Sequence, residues 1–349
     1  MIVDNLDTIR VEITNKCNAR CPGCERTVDG DTHPELKNNV VEYTLDDFKN
    51  MFPQDMVHGK EFYFGGTVDD PMMNKNVYDI CEYVISNQGQ VTLETNTGAN
   101  TADTYTKLGK LSYESNGKLH VYFSVDGLEK TNHLYRVNVM WTKVLENMKA
   151  YSSSKGKCTW QYLVFDHNYD DVSKAKELAQ ELGIDLVLRQ NVRNVKPWIS
   201  KTKVKNKETK KIETKTFEVK TTEKFEHPQL KKTTKIKQQI QPKKKSINCL
   251  MVHKGEIFVA WTKRVWPCCW FASDSFARYD YFKKLDEKLG STWNDLHHNT
   301  LDQILGHEYY DKILQESWKN PQFKDYYYPF CYTKCGDNNE RTHYHRQSA

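Results

Sequence analysis

Six short β-prone stretches alternate with helix-period segments over the first two hundred residues, and that alternation narrows the fold more than any other feature. The strand-like stretches are residues 8–13, 61–64, 91–95, 119–125, 160–165 and 185–188. Between them the period changes. Thr44 precedes Leu45, Asp46 and Asp47, which predicts a helix start: the threonine caps, and the acids suit the positive helix end. Val77, Ile80, Cys81 and Val84 follow helical spacing and put Cys81 on an apolar face. Val172, Ala175, Leu178, Ala179 and Leu182 form a second stripe, stopped by Gly183. Repeated βα units of this length argue for a parallel sheet. Six of them suit either a partial barrel or an open doubly wound sheet.

At 349 residues the chain can bury a full core, in one large domain or two. Aromatics at 12% and charged residues at 28% exclude wholesale disorder. No run of about 18 apolar residues is present, so no bilayer-spanning helix is expected. The first residues carry neither the basic flank nor the apolar stretch of a secretion signal, so the expected compartment is the cytoplasm.

Ten cysteines in a reducing compartment point to metal sites or buried apolar positions rather than disulfides. Cys17, Cys21 and Cys24 cluster near the start, and Cys249, Cys268, Cys269, Cys331 and Cys335 lie in the last third. Cys81 and Cys158 stand alone and read as structural.

The net charge of +5 is uneven. Residues 201–245 hold 16 Lys, no Arg and 5 Glu, a local +11, which leaves 5 − 11 = −6 for the rest. Residues 199–246 are therefore expected to form a flexible or hairpin-like basic insert on the surface. Such a segment can steer an anionic partner, nucleic acid included. Phe217 and Phe225 are its aromatics and arginine is lacking, so base stacking and bidentate phosphate grips are poorly supplied. Residues 252–261 read as β-hairpin material, and residues 300–318 as helical.

Cys17-Asn-Ala-Arg-Cys21-Pro-Gly-Cys24 directly follows the first strand. Three thiolates within eight residues can wrap one soft metal centre. Zinc would need a fourth ligand, and His33 and His58 are distant in sequence. A cubane can use three cysteines and keep one iron open.

This Cys-x3-Cys-x2-Cys loop resembles the radical S-adenosylmethionine (SAM) superfamily. The resemblance implies a partial (β/α)6 TIM-like barrel and a [4Fe–4S] cluster on Cys17, Cys21 and Cys24. Its open iron would be chelated by the amino and carboxylate groups of SAM. Reductive cleavage would then give methionine and a 5′-deoxyadenosyl radical that takes hydrogen from a substrate. It also implies an electron donor such as flavodoxin or ferredoxin.

Further segments carry the same resemblance. Phe64-Gly65-Gly66-Thr67 ends the second strand where the family has a Gly-Gly-Glu-type turn near the SAM amino group, with Thr67 in place of the glutamate. Thr95-Asn96-Thr97-Gly98 resembles a Thr-Asn-Gly segment. Ser124-Val-Asp126-Gly127 ends the fourth strand, with Arg136 downstream. The resemblance implies that the serine and arginine meet SAM ribose or carboxylate; a guanidinium fork suits a carboxylate. Asp126 reads equally as a turn former. Gln161 and Asn168 flank the fifth strand and face either adenosine or strand-end packing. Gly23 stands where an aromatic is common.

The last third resembles a reduced SPASM/twitch extension, which holds auxiliary clusters in many radical SAM enzymes. Cys249 and Cys268 fit its opening spacing, with Lys263 in place of a glycine, and Cys331 and Cys335 fit a later Cys-x3-Cys pair. The resemblance implies one auxiliary [4Fe–4S] cluster on Cys249, Cys268, Cys331 and Cys335. Zinc fits the count equally well, and Cys269 could replace Cys268. Residues 326–330 are expected to pack around that centre.

The expected organisation is a barrel over residues 1–198, the insert at 199–246 and the auxiliary-cluster region at 247–349. The expected substrate is a peptide or protein side chain, by analogy with SPASM/twitch enzymes. Two rivals stay open: a small-molecule or nucleotide substrate for the same chemistry, and a non-catalytic zinc- or nucleic-acid-binding protein. No general acid or base is singled out.

Overall fold

The computed structural model describes residues 6–191, 197–205, 212–225, 247–277 and 279–336. In chain order the strands are β1 (Thr8–Val11), β2 (Thr27–Val28), β3 (Asp31–Thr32), β4 (Glu61–Phe64), β5 (Gln90–Thr95) and β6 (Leu119–Ser124). They continue with β7 (Lys157–Val164), β8 (Asp185–Gln190), β9 (Trp198–Lys205), β10 (Ile212–Val219), β11 (Glu256–Val259) and β12 (Val265–Trp266). The main sheet runs β12-β11-β1-β4-β5-β6-β7-β8. From β1 to β8 every pairing is parallel, β11 joins β1 in parallel, and β12 turns back antiparallel. The six expected strands are all there, and the fold is a partial TIM-like barrel.

Alternation along the strands explains why the chain closes this way. Ile9, Val11, Phe62, Phe64, Val91 and Leu93 are fully buried. Phe48 packs at 5.5 Å from Phe62, and Phe52 at 5.2 Å. The other strand face is polar. The Arg10 guanidinium lies 3.7 Å over the Tyr63 ring, and its Nε donates to Glu256 at 2.8 Å. The strands thus seal an apolar layer against the helices and leave a polar interior.

The helix at Leu45–Met51 starts on Thr44, whose side chain accepts from Asp47 N while the Asp47 carboxylate accepts from Thr44 N. Cys81 is buried on the helix Val77–Ser86, and Cys158 is half-buried on β7. Gly183 ends the helix Val172–Leu182 with a φ of 65°.

Two readings of the last third need correction. Residues 250–254 are helical, because Gly255 (φ 56°) closes a short helix before the hairpin β11–β12. The segment 300–318 is broken: one helix covers Leu301–Leu305, and helical turns resume at Tyr309–Ile313 and Leu314–Glu316. Lys263 lies in the β11–β12 loop with a φ of 61°, the left-handed region that favours glycine. Its ammonium pairs with Asp47 at 2.8 Å and lies 5.5 Å over the Tyr43 ring. The backbone device expected of a glycine is therefore kept by a lysine whose side chain is anchored.

Part of the basic insert is a hairpin: β9 and β10 pair antiparallel in full register, from Trp198↔Val219 to Lys205↔Ile212. Its base packs into the molecule, with Ser200, Val219 and Thr222 each 2% exposed. Residues 206–211 and 226–246 of the insert lie outside the described residues. Among the described residues no helix is long and apolar enough to cross a membrane.

Candidate functional site

The parallel strands deliver their C-terminal ends to one cavity, where α/β folds place ligands. Cys17, Cys21 and Cys24 from the loop after β1 line it. Gly65, Gly66 and Thr67 after β4, Asn96 after β5, and Ser124, Asp126 and Arg136 after β6 line it too. Gln161 reaches it from β7. Asn168 does not: it is buried, and its amide donates to the carbonyls of Asp126 and Leu163 while accepting from Phe165 N. Strand-end packing is its place.

Each thiol has a neighbour that fixes it. Asn96 Nδ2 lies 3.6 Å from Cys17 Sγ and donates to Asn18 Oδ1 at 2.8 Å. Arg136 Nη1 lies 3.9 Å from Cys21 Sγ. Cys24 Sγ lies 3.8 Å from the Thr67 carbonyl. Burial pushes the Cys17 thiol up; the negative charge of Asp70 adds to this and Arg26 opposes it. Burial also pushes Cys21 up, to about 11, against the pull of Arg136.

Arg136 is committed on its inner side. Its Nε donates to Asp126 Oδ2 at 2.6 Å, while Asp126 Oδ1 accepts from Leu163 N at 2.6 Å. Asp126 is thus a buried partner for Arg136 as well as a turn residue.

Four residues escaped the sequence reading. Glu12, 1% exposed, accepts from Thr67 N, Thr67 Oγ1 and Val68 N on Oε1, and from Trp261 N on Oε2. It ties the Gly-Gly-Thr turn to the segment after β11. Asp70 accepts from Asn96 N and Thr95 Oγ1 and so sets the Asn96 turn. Asp69 holds Gly66 N on Oδ1 at 2.7 Å, while its Oδ2, sealed from solvent, has no hydrogen-bond partner among the described residues. Trp198 enters from the insert hairpin and lines the cavity. A carboxylate three residues beyond the Gly65-Gly66 pair was the signal available for Asp69. Trp198 gave none, because its contact is made across 175 residues of sequence.

The residues present fit SAM and a cubane. A cationic ligand group would satisfy Asp69 Oδ2, an orphan that a native structure needs to account for. Arg136 offers guanidinium donors for a carboxylate. Space beside Gly66 is tight: a Cβ there would lie 2.4 Å from Glu12 Cγ. Three thiols with one corner open suit a cubane. Among the described residues no three His, Cys, Asp or Glu side chains converge on the volume of a single ion.

The C-terminal cysteines form a second group. Burial pushes the Cys268 thiol up, and Cys269, Cys249 and Cys331 are close enough to add to it. Cys331 is raised by burial and then by Cys249 and Cys335. Cys331 and Cys335 sit four apart on the helix Phe330–Cys335, on one face. Asn248 N donates to the Cys335 carbonyl at 2.8 Å, which ties that helix to the Cys249 segment. Cys269 heads the helix Cys269–Ala277 and also feels Arg10. Tyr328 packs 4.1 Å from Phe271 and donates to Asp274 at 2.5 Å, so the aromatic tail covers this region.

Comparison with known proteins is consistent with this geometry. The radical SAM superfamily matches residues 11–179. Among solved structures, SuiB of Streptococcus suis bound to S-adenosylmethionine is 13% identical at a TM-score of 0.50, over 76% of this chain and 61% of that one. SuiB bound to its precursor peptide SuiA gives a TM-score of 0.49 at 13% identity, over 77% and 61%. Native anSMEcpe with bound AdoMet is 14% identical at a TM-score of 0.38, over 52% and 51%. The chain thus spans about three-fifths of the length of SuiB, and at these identities the likeness is one of fold. No curated protein sequence matches.

Proposed function

Residues 11–179 belong to the radical SAM superfamily, and from that premise we propose that the chain cleaves SAM reductively and uses the radical on a peptide or protein side chain. The observation that carries the reading is the meeting of Cys17, Cys21 and Cys24 with Asp69, Asn96 and Arg136 in one cavity at the strand ends. Bound there, the cluster and SAM would supply the 5′-deoxyadenosyl radical.

The chain's own residues have separable tasks in this reading. Cys17, Cys21 and Cys24 hold the cluster. Asp69 Oδ2 takes the SAM ammonium, and Arg136 takes the carboxylate while Asp126 keeps its fork aligned. Asn96 steadies Cys17 and the adjoining loop. Gly65 and Gly66 bring backbone close to the ligand, and Ser124 and Gln161 serve the ribose side. Cys249, Cys268, Cys331 and Cys335 hold an auxiliary [4Fe–4S] cluster. The peptide assignment is supported by the resemblance of that cysteine set to SPASM/twitch extensions.

The test is anaerobic reconstitution with reductant and SAM, with 5′-deoxyadenosine measured against Cys17→Ala. Wild type is expected to form it and the variant not. A fully reconstituted wild type that forms none refutes the proposal.

Asp69→Asn probes the ammonium contact. The amide keeps an oxygen for Gly66 N but loses the charge. A charge-assisted bond of about 1.5–3 kcal/mol would be lost, so SAM should dissociate roughly 10- to 100-fold more readily in equilibrium dialysis. The affinity for 5′-deoxyadenosine, which lacks the ammonium, should hold. An unchanged SAM affinity removes Asp69 from the site.

A further inference from the structure

Position 23 of the cluster loop has no side chain, and a ring from far along the chain fills the space where one would stand. A Cβ built on Gly23 would lie 2.3 Å from Trp198 Cε2, closer than real contacts allow. The backbone of Gly23 is also in the left-handed region, with a φ of 77°. Trp198 is the first residue of β9 and so belongs to the hairpin of the basic insert. Its indole is braced by neighbouring rings: it lies nearly parallel to Tyr135, at 17° with centroids 6.1 Å apart, and packs 6.4 Å from Phe165.

The cavity needs such a ring. Its carboxylates, amides and guanidinium groups suit the polar parts of a ligand, but a flat heteroaromatic base wants an apolar wall. Tyr135 and Trp198 are the aromatic side chains that line the cavity. Tyr135 is buried at 6% exposed while Trp198 is half-buried, which makes Trp198 the more accessible of the two rings.

We propose that Trp198 is the base-binding wall of this cavity, supplied by the insert hairpin in place of residue 23, and that its ligand is the adenine of SAM. This rests on the SAM reading above. It gives the hairpin a task beyond surface charge: its first residue completes the cofactor site, so the hairpin must be seated for SAM to bind tightly.

The experiment uses the reconstituted full chain at matched iron content. Binding of SAM, 5′-deoxyadenosine and methionine is measured by anaerobic equilibrium dialysis. Loss of one base–aromatic stack should raise the Kd for SAM and for 5′-deoxyadenosine about tenfold in Trp198→Ala, with methionine unmoved. Trp198→Phe keeps most of the affinity. Gly23→Ala, which pushes the indole aside, should weaken SAM comparably, and the double variant Gly23→Ala/Trp198→Ala should be no weaker than Trp198→Ala. Where Trp198→Ala loses iron, Trp198→Leu carries the same test with the space filled and the ring gone. Equal SAM affinity in wild type and variants overturns the proposal, as does an equal loss of methionine, which would place the effect in the cluster loop. A wild type that binds neither SAM nor methionine overturns the SAM reading itself, and this proposal with it.

Discussion

Asp126→Ala is expected to destabilise the protein by about 3–5 kcal/mol, the cost of stripping one partner from a buried ion pair. The Asp126 side chain is 1% exposed and that of Arg136 17%. Removing the carboxylate strands the guanidinium charge and also orphans Leu163 N, which donates to Asp126 Oδ1. Asp126→Asn should recover part of the loss, since an amide oxygen can still accept from Leu163 N but cannot neutralise Arg136. Replacing both members by apolar residues (Asp126→Leu with Arg136→Met) should cost less than Asp126→Ala, because no charge is left buried. Urea midpoints at matched cluster loading order the three. If Asp126→Ala lies within about 1 kcal/mol of wild type, the pair is screened like an exposed one, and Arg136 is not held by Asp126.

That pair also marks how far sequence reasoning reached. Strand positions were legible because short stretches such as 61–64 and 119–124 are rich in the aromatic and apolar residues that suit a half-buried pleated surface, and the structure buries Phe62, Phe64, Val121 and Phe123. Thr44 and Gly183 were legible for a similar reason: a cap is set by two to four neighbouring residues, and the structure shows the reciprocal Thr44–Asp47 bonds and the left-handed Gly183. What stayed hidden depends on distant segments. Glu12 is one of four charged residues between Thr8 and Cys24, and nothing local shows that it will accept four bonds from the turn after β4 and the segment after β11. Lys263 looked like a departure from a glycine pattern. Its meaning is readable only once its positive φ and its anchor on Asp47 are seen together. The Lys/Thr-rich composition of the insert likewise describes its solvated faces and says nothing of Trp198 at its root.

Iron content separates the two cysteine groups. A chain with both centres filled should carry about eight iron and eight sulfide, and one cubane accounts for about four of each. The double variant Cys331→Ala/Cys335→Ala should therefore fall to about four iron while still forming 5′-deoxyadenosine from SAM, though substrate turnover should be lost. Cys17→Ala should fall to a similar iron count and form no 5′-deoxyadenosine. The two variants match in metal and differ in chemistry because only the first group shares a cavity with Asp69 and Arg136. Cys269→Ala should keep about eight iron, since Cys269 heads its own helix and its thiol feels Arg10, while Cys268 is the one set among Cys249 and Cys331. Zinc in place of iron and sulfide at the C-terminal site would replace the auxiliary cluster by a structural ion; removing Cys331 and Cys335 would then take one zinc and leave four irons in place. Loss of all iron from the Cys331→Ala/Cys335→Ala chain would mean instead that the C-terminal segment is needed to fold the barrel. The β11–β1 pairing makes that outcome measurable: the urea midpoint would fall together with the iron, whereas loss of a cluster ligand alone leaves the strand pairing, and the first cluster, intact.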